Sequence, residues 1–127
     1  MNEPRLNLVV LRVADLERAE RFYAALGLVF QRHAHGNGPE HLAAEWGGMV
    51  LELYPATPAQ PVTASARIGF LVGELDGLCG KLALVPGAKV VSAPKDSEWG
   101  RRAVVADPDG HRVELLERGV AGSAIRA

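Results

Sequence analysis

Two glutamates carry the first chemical signal in this chain. Glu52 lies in MVLELYP (residues 49–55) and Glu114 in HRVELLE (111–117), each a carboxylate inside an aliphatic run whose alternation has the period of a β-strand. One such glutamate is ordinary on a half-exposed strand. Two at matching positions point to a lined cleft, where paired carboxylates could hold a cation or accept hydrogen bonds from a ligand. Histidine is the second candidate type. His33 and His35 have the i, i+2 spacing that places both on one face of an extended strand, and His41 follows across a hairpin, so three imidazoles could meet. Histidines in such a Gly-rich connection are more commonly exposed or substrate-contacting, and no acidic residue at metal-ligand spacing accompanies them. His41 is placed at a pocket rim, and His111 is expected to be solvated. No Ser/His/Asp or Cys/His arrangement and no Gly-rich phosphate loop is present. The single cysteine, Cys79, excludes an intramolecular disulfide and falls in an apolar helical pattern, which reads as a buried thiol.

The elements that must position these residues follow from the hydrophobic pattern. Leu8 to Val13 predicts a strand, and Asp15 caps a helix whose Leu16, Ala19, Phe22, Tyr23 and Leu26 form one apolar face before Gly27 ends it. Leu28 to His33, His41 to Trp46 and Met49 to Tyr54 predict three strands, the last two joined at Gly47-Gly48. Pro55, Pro58 and Pro61 make the following segment a linker. The pattern then restarts, with a strand over Ile68 to Val72, a weaker helical stripe of Leu75, Leu78, Leu82 and Val85, and an extended piece at Val90-Val91. Ala93 to Gly100 reads as a polar loop carrying Trp99, an aromatic suited to closing over a ligand. Trp46 reads as core or dimer packing and Tyr54 as a candidate pocket wall. Asp107-Pro108-Asp109-Gly110 between two apolar runs is a hairpin signal, with aspartates capping local amides. Strand, helix and three strands thus occur twice, as in a divergent internal duplication. The boundaries expected are a first module over 5–55, a linker over 56–65, a second module over 66–118 and a tail over 119–127.

Composition excludes several classes of partner. The chain has 127 residues, 23% charged, with a formal net charge of -1 and dispersed Lys and Arg, so neither nucleic acid nor a membrane surface is an expected partner. No apolar run approaches the ~20 residues of a membrane span, and no leader pattern opens the chain, so a soluble, cytoplasmic protein that takes a small-molecule ligand is expected.

Together, LVVLRVADLERAERFYAALGL, VLELYP, GFLVGELDGL and DPDGHRVELLE resemble the vicinal oxygen chelate superfamily, which includes glyoxalase I, bleomycin-resistance proteins and extradiol dioxygenases, over about Leu6 to Glu117. The resemblance implies an α+β fold of two βαβββ modules forming a curled mixed sheet with a concave cup, helices on the convex face, and assembly as a homodimer. Metal-dependent members hold a divalent cation through His or Gln on the first strand, Glu on the fourth, His on the fifth and Glu on the eighth. The two glutamates carry over to Glu52 and Glu114. The other two positions carry over to Leu8, with Asn7 adjacent, and to Arg67, which supplies a permanent positive charge where a cation would sit.

On this reading the metal site is degenerate and no cofactor is expected; a divalent metal, if held, would use Glu52 and Glu114. The ligand-binding candidates are Arg67, Glu52, Glu114, His41, Trp99, Arg12 and Tyr54, with Arg12 sharing the face of Leu8 and Arg112 sharing that of Glu114. An equal weight falls on Glu52, Arg67 and Glu114 as a purely structural polar network. The function expected is binding of a small organic molecule. The alternatives are a metal-dependent lyase, isomerase or dioxygenase with a non-standard ligand set such as His41, Glu52 and Glu114, and a non-catalytic interaction domain.

Overall fold

The computed structural model describes residues 2–119, and most of the expected tail (120–127) lies outside them. The elements run β1 (Leu8–Val13), α1 (Leu16–Leu26), β2 (Phe30–His33), β3 (His41–Trp46), β4 (Met49–Pro55), β5 (Arg67–Val72), α2 (Leu75–Ala83), β6 (Lys89–Ser97), β7 (Gly100–Ala106) and β8 (Arg112–Glu117). Two mixed four-stranded sheets result, in the orders β1-β4-β3-β2 and β5-β8-β7-β6, each with one parallel and two antiparallel pairings. This is the α+β architecture of two βαβββ modules. The chain divides into two compact units, Met1–Thr63 and Ala64–Ala127. Among the described residues, no helix is long and apolar enough to cross a membrane.

In the first unit, α1 packs on β3 and β4. Its apolar stripe buries Ala19, Phe22 and Tyr23, and the two rings meet edge to face with centroids 4.9 Å apart. Leu11, Val13, Leu42, Ala44, Leu51 and Leu53 supply the buried side of the sheet. Asp15 accepts a hydrogen bond from the Arg18 amide and so caps the helix start. At the other end the amides of Gly27 and Leu28 both donate to the Tyr23 carbonyl. This cap consumes Leu28, which is why β2 begins at Phe30 rather than at Leu28.

The second unit repeats the plan with α2 against β6, β7 and β8. Leu75, Cys79 and Leu82 meet Ala103, Val105, Val113 and Leu115 as buried core residues. Burial pushes the Cys79 thiol up from its ordinary value, with Asp76 adding to the rise, so it stays protonated and unreactive. The cap of α2 differs from that of α1. Glu74 has a positive φ of 46° and makes no side-chain cap, and Glu117 at the end of β8 instead accepts from the Leu75 amide at 2.8 Å.

Two segments depart from expectation. Ala93 to Ser97 is strand rather than polar loop: β6 is the exposed edge of its sheet, its register shifts twice against β7, and an edge tolerates Pro94 and charged side chains. His111 is buried at 1% exposure rather than solvated, because its ring folds back onto Asp107. The hairpin forms where Asp107-Pro108-Asp109-Gly110 is placed, and Asp107 Oδ1 accepts from the amides of Asp109 and His111.

Candidate functional site

Strand alternation gives each sheet one face toward its helix and one face away from it. In the first unit the face away from α1 carries Leu8, Val10 and Arg12 on β1, Val50, Glu52 and Tyr54 on β4, and Ala43 and His41 on β3. The register pairs Val10 with Glu52, Arg12 with Tyr54 and Ala43 with Glu52. Arg12 and Tyr54, separated by 42 positions in sequence, therefore become neighbours. The Arg12 guanidinium lies over the Tyr54 ring at 4.7 Å from its centroid and donates to the Pro55 carbonyl at 3.3 Å. From the opposite neighbouring strand, the His41 ring stacks on Tyr54 at 4.3 Å with an interplanar angle of 6°. A continuous stack of guanidinium, phenol and imidazole therefore runs across β1, β4 and β3.

His41 is the buried end of that stack, at 2% exposure. Its Nδ1 lies 3.3 Å from the Pro39 carbonyl, an acceptor only, so Nδ1 carries the proton and Nε2 is left to face Glu52 Oε2 at 3.8 Å. His33 pairs directly with His41 across β2 and β3, and the rings of His33, His35 and His41 lie 5.4 to 6.1 Å apart, centroid to centroid. Nearby, Val29, Gln31, His33, Ala43, Glu45 and Val50 line an open recess of about 370 Å³.

In the second unit Glu114 faces away from α2, flanked by the buried Val113 and Leu115. Its Oε1 accepts from Arg67 at 2.9 Å and from Arg102 at 2.5 Å. Arg67 is 54% exposed in its side chain, whereas Arg102 and Glu114 are 19% and 14% exposed, so the Arg102 pair is the more shielded of the two. On the sequence alone, Glu52, Arg67 and Glu114 are expected as one network; the Arg67–Glu114 contact is formed, and the contact of Glu52 is with His41. Arg102 was not singled out there, although the pairing of Val104 with Glu114 places Arg102 diagonally across from that carboxylate.

The remaining candidates are placed separately. Trp99 lies in the turn between β6 and β7, where its amide donates to Ser97 Oγ. Trp46, read as core or dimer packing, is 38% exposed at the end of β3. Arg101 makes a two-pronged contact with Asp76 at 2.7 and 2.8 Å and a further one with Asp96 at 3.1 Å, joining α2, β6 and β7.

Another group with metal-ligand chemistry lies at the second hairpin, where ligand atoms of Asp107, Asp109 and His111 fall within 4.8 Å of one another. The arrangement is a turn lock. Both Asp107 oxygens already accept protein hydrogen bonds, Oδ1 from two amides and Oδ2 from His111 Nδ1 at 2.8 Å, and a cation would have to displace them.

Comparison with known proteins agrees with this architecture. The Glyoxalase/Bleomycin resistance protein/Dioxygenase superfamily profile matches residues 5–115. An uncharacterized protein of Mycolicibacterium smegmatis is 30% identical over 114 residues, spanning 87% of this chain and 91% of that one. Among solved structures, TnmS3, an antibiotic binding protein from a Streptomyces strain, superposes with a TM-score of 0.71 at 27% identity, covering 94% of this chain and 99% of the other. A glyoxalase-related enzyme from Fulvimarina pelagi gives a TM-score of 0.73 at 24% identity, covering 97% and 98% of the two chains, and supports the shared fold.

Proposed function

We propose that this chain, which belongs to the glyoxalase/bleomycin resistance protein/dioxygenase superfamily, binds a small organic molecule and has lost the metal positions of its metal-dependent relatives. The observation that carries the reading is the clamp on Glu114. In metal-dependent relatives this carboxylate is a ligand; here its Oε1 receives two guanidiniums, and permanent positive charge at that oxygen opposes a divalent cation. Leu8 stands where the first-strand ligand is expected and has no lone pair to offer. On this reading the family cation does not fit the residues present, and Arg67 takes over its charge.

Recognition is then assigned to groups that suit a flat, polar organic ligand. In the first unit Arg12, Tyr54 and His41 present stacked π faces with a cation at one end and Glu52 adds an acceptor; in the second unit Arg67 is a separate candidate donor. The likeness to an antibiotic binding protein supports sequestration as the mode of action. Trp99 is assigned as a separate ligand contact of the second unit, and a homodimer in the cytoplasm is the assembly and location this reading carries.

The test is calorimetric titration of the purified protein with bleomycin and with planar polycyclic antibiotics. A binder is expected from that set, with Arg12→Ala and Tyr54→Ala each weakening it by about 10-fold, the equivalent of ~1 to 2 kcal/mol for a cation–π or stacking contact. Divalent metal bound through Glu114, shown by its loss in Glu114→Gln, would overturn the reading.

A further inference from the structure

We propose that the face of the second sheet turned away from α2 binds a small oxyanion of the phosphate type, as the free ion or as the ester group of an organic ligand. The inference goes beyond the organic-ligand reading and does not depend on the Arg12, Tyr54 and His41 stack of the first unit. Residues paired across neighbouring strands project from the same face. Arg67 pairs with Arg112 and Gly69 with Glu114 across β5 and β8, while Lys95 pairs with Arg102 and Lys89 with Ala106 across β6 and β7. Val104 pairs with Glu114, and Arg102 and Ala106 lie two positions to either side of it, on the same face. Five cations and one carboxylate therefore stand on this face of the strands. The matching face of the first sheet carries Arg12 against Glu45 and Glu52, so the positive excess belongs to the second unit and not to the βαβββ plan.

Arg102 gives the strongest indication. The side fork of a guanidinium, Nε with Nη2, matches two oxygens of an oxyanion. Arg101 sets both arms of its fork on Asp76, at 2.8 and 2.7 Å. Arg102 sets only one: Nη2 donates to Glu114 Oε1 at 2.5 Å, while Nε is buried and has no hydrogen-bond partner among the described residues. A buried donor left unmade is costly, and an oxyanion against the fork satisfies it. Arg67 brings a second guanidinium to the same Oε1 at 2.9 Å, so two like charges converge on one carboxylate oxygen. A further anion relieves that excess.

Space and access accompany the charge. Gly69, the register partner of Glu114, is exposed and places no side chain beside the two guanidiniums. Lys89, Lys95 and Arg112 are exposed and make no ion pair among the described residues, so nothing local neutralises them. A doubly charged group suits this excess better than a single carboxylate.

The test titrates the untagged full chain with inorganic phosphate, phenyl phosphate and benzoate by calorimetry at constant ionic strength. Saturable binding of phosphate or its phenyl ester, tighter than that of benzoate, is expected, and the tighter of the two identifies the free ion or the ester as the source. Arg67→Met and Arg102→Met, checked for folding by circular dichroism, should each weaken binding by about 10-fold. Lys95→Met, on the exposed edge strand, should weaken it by ~2- to 3-fold. Glu114→Gln should instead strengthen it by about 5-fold or more, because the competing negative charge is removed. Arg101→Met, on the opposite face of β7, should leave it unchanged. Absence of saturable binding of both phosphates, tighter binding of benzoate, weaker binding in Glu114→Gln, unchanged affinity in both Arg67→Met and Lys95→Met, or loss in Arg101→Met would each overturn the proposal. Antibiotic binding is measured separately, so failure of one proposal does not imply failure of the other.

Discussion

The strands carrying Glu52 and Glu114 occupy the same place in two copies of one module, yet their surroundings differ in kind. Glu52 has an imidazole 3.8 Å away, beside a stacked tyrosine. Glu114 is held by two guanidiniums at 2.9 and 2.5 Å. The hairpins that deliver these strands differ as well. The first turns through Gly47 and Gly48, both at positive φ (53° and 79°), and needs only the absence of side chains. The second turns through Asp107 to Gly110 and is locked by side-chain hydrogen bonds to a buried histidine. The two units thus share a backbone plan while their polar groups differ. In the first unit the carboxylate keeps lone pairs facing an imidazole; in the second, polar side chains are tied to one another.

The hairpins offer the largest way to break this contrast. Asp107→Ala removes the acceptor of three hydrogen bonds in a buried turn and should destabilise the second unit by about 3 kcal/mol or more. Gly48→Ala strains one positive-φ position that has open space around it and should cost the first unit only ~1 kcal/mol. The two tryptophans fall one to each unit, Trp46 in the first and Trp99 in the second. Urea unfolding of Trp46→Phe and Trp99→Phe backgrounds followed by fluorescence therefore reads the units separately. Equal effects of the two substitutions would show that the side-chain lock contributes nothing beyond the turn itself.

A smaller effect is expected within the Glu114 clamp. Double-mutant cycles with Glu114→Gln should give a coupling of about 2 kcal/mol to Arg102 through Arg102→Met, because both side chains are largely shielded from water. The coupling to Arg67 through Arg67→Met should stay below ~1 kcal/mol, since that guanidinium is 54% exposed. A larger coupling to Arg67 than to Arg102 would reverse the assignment of which arginine holds the carboxylate.

Much of this was legible in the sequence, for reasons that can be named. Periodicity placed both helices because Phe22 and Tyr23, or Leu75 and Leu82, recur on one buried face, although Val85 of the expected second stripe lies past the end of α2. The hairpin at Asp107 to Gly110 was legible because its turn chemistry is local. Of the expected Glu52, Arg67 and Glu114 network, the Arg67–Glu114 contact is present, while Glu52 lies beside His41. What escaped depended on non-local pairing. Arg102 reaches Glu114 through a cross-strand diagonal that only the register reveals, and Glu117 caps a helix that begins 42 positions earlier in the chain. His111 looked solvated because a histidine after a turn usually is; its ring instead folds back onto Asp107, four residues away, and is buried. Trp99 was read within a long polar loop because polar composition marks an exposed edge strand as readily as a loop.

The smallest expected effect tests whether the Arg101 clamp governs the charge of its carboxylate. Arg101 grips Asp76 in the first turn of α2 with two hydrogen bonds, and this holds the Asp76 carboxyl below its ordinary value of 3.8, chiefly through those bonds and secondarily through charge attraction. A carboxylate whose pKa is lower in the folded chain than in the unfolded one contributes stability that is present above the unfolded value and is lost as pH falls through the folded value. The contact should therefore stabilise the fold fully at neutral pH and fade on acidification below pH 3.8. Both groups are exposed to water, so the effect belongs in a titration rather than in a melting curve. Carboxyl ¹³C chemical shifts followed against pH should show Asp76 titrating below 3.8 in the native chain and returning toward 3.8 in Arg101→Met. If Asp76 titrates at its ordinary value in both proteins, the Arg101 contact is only a crossing of side chains.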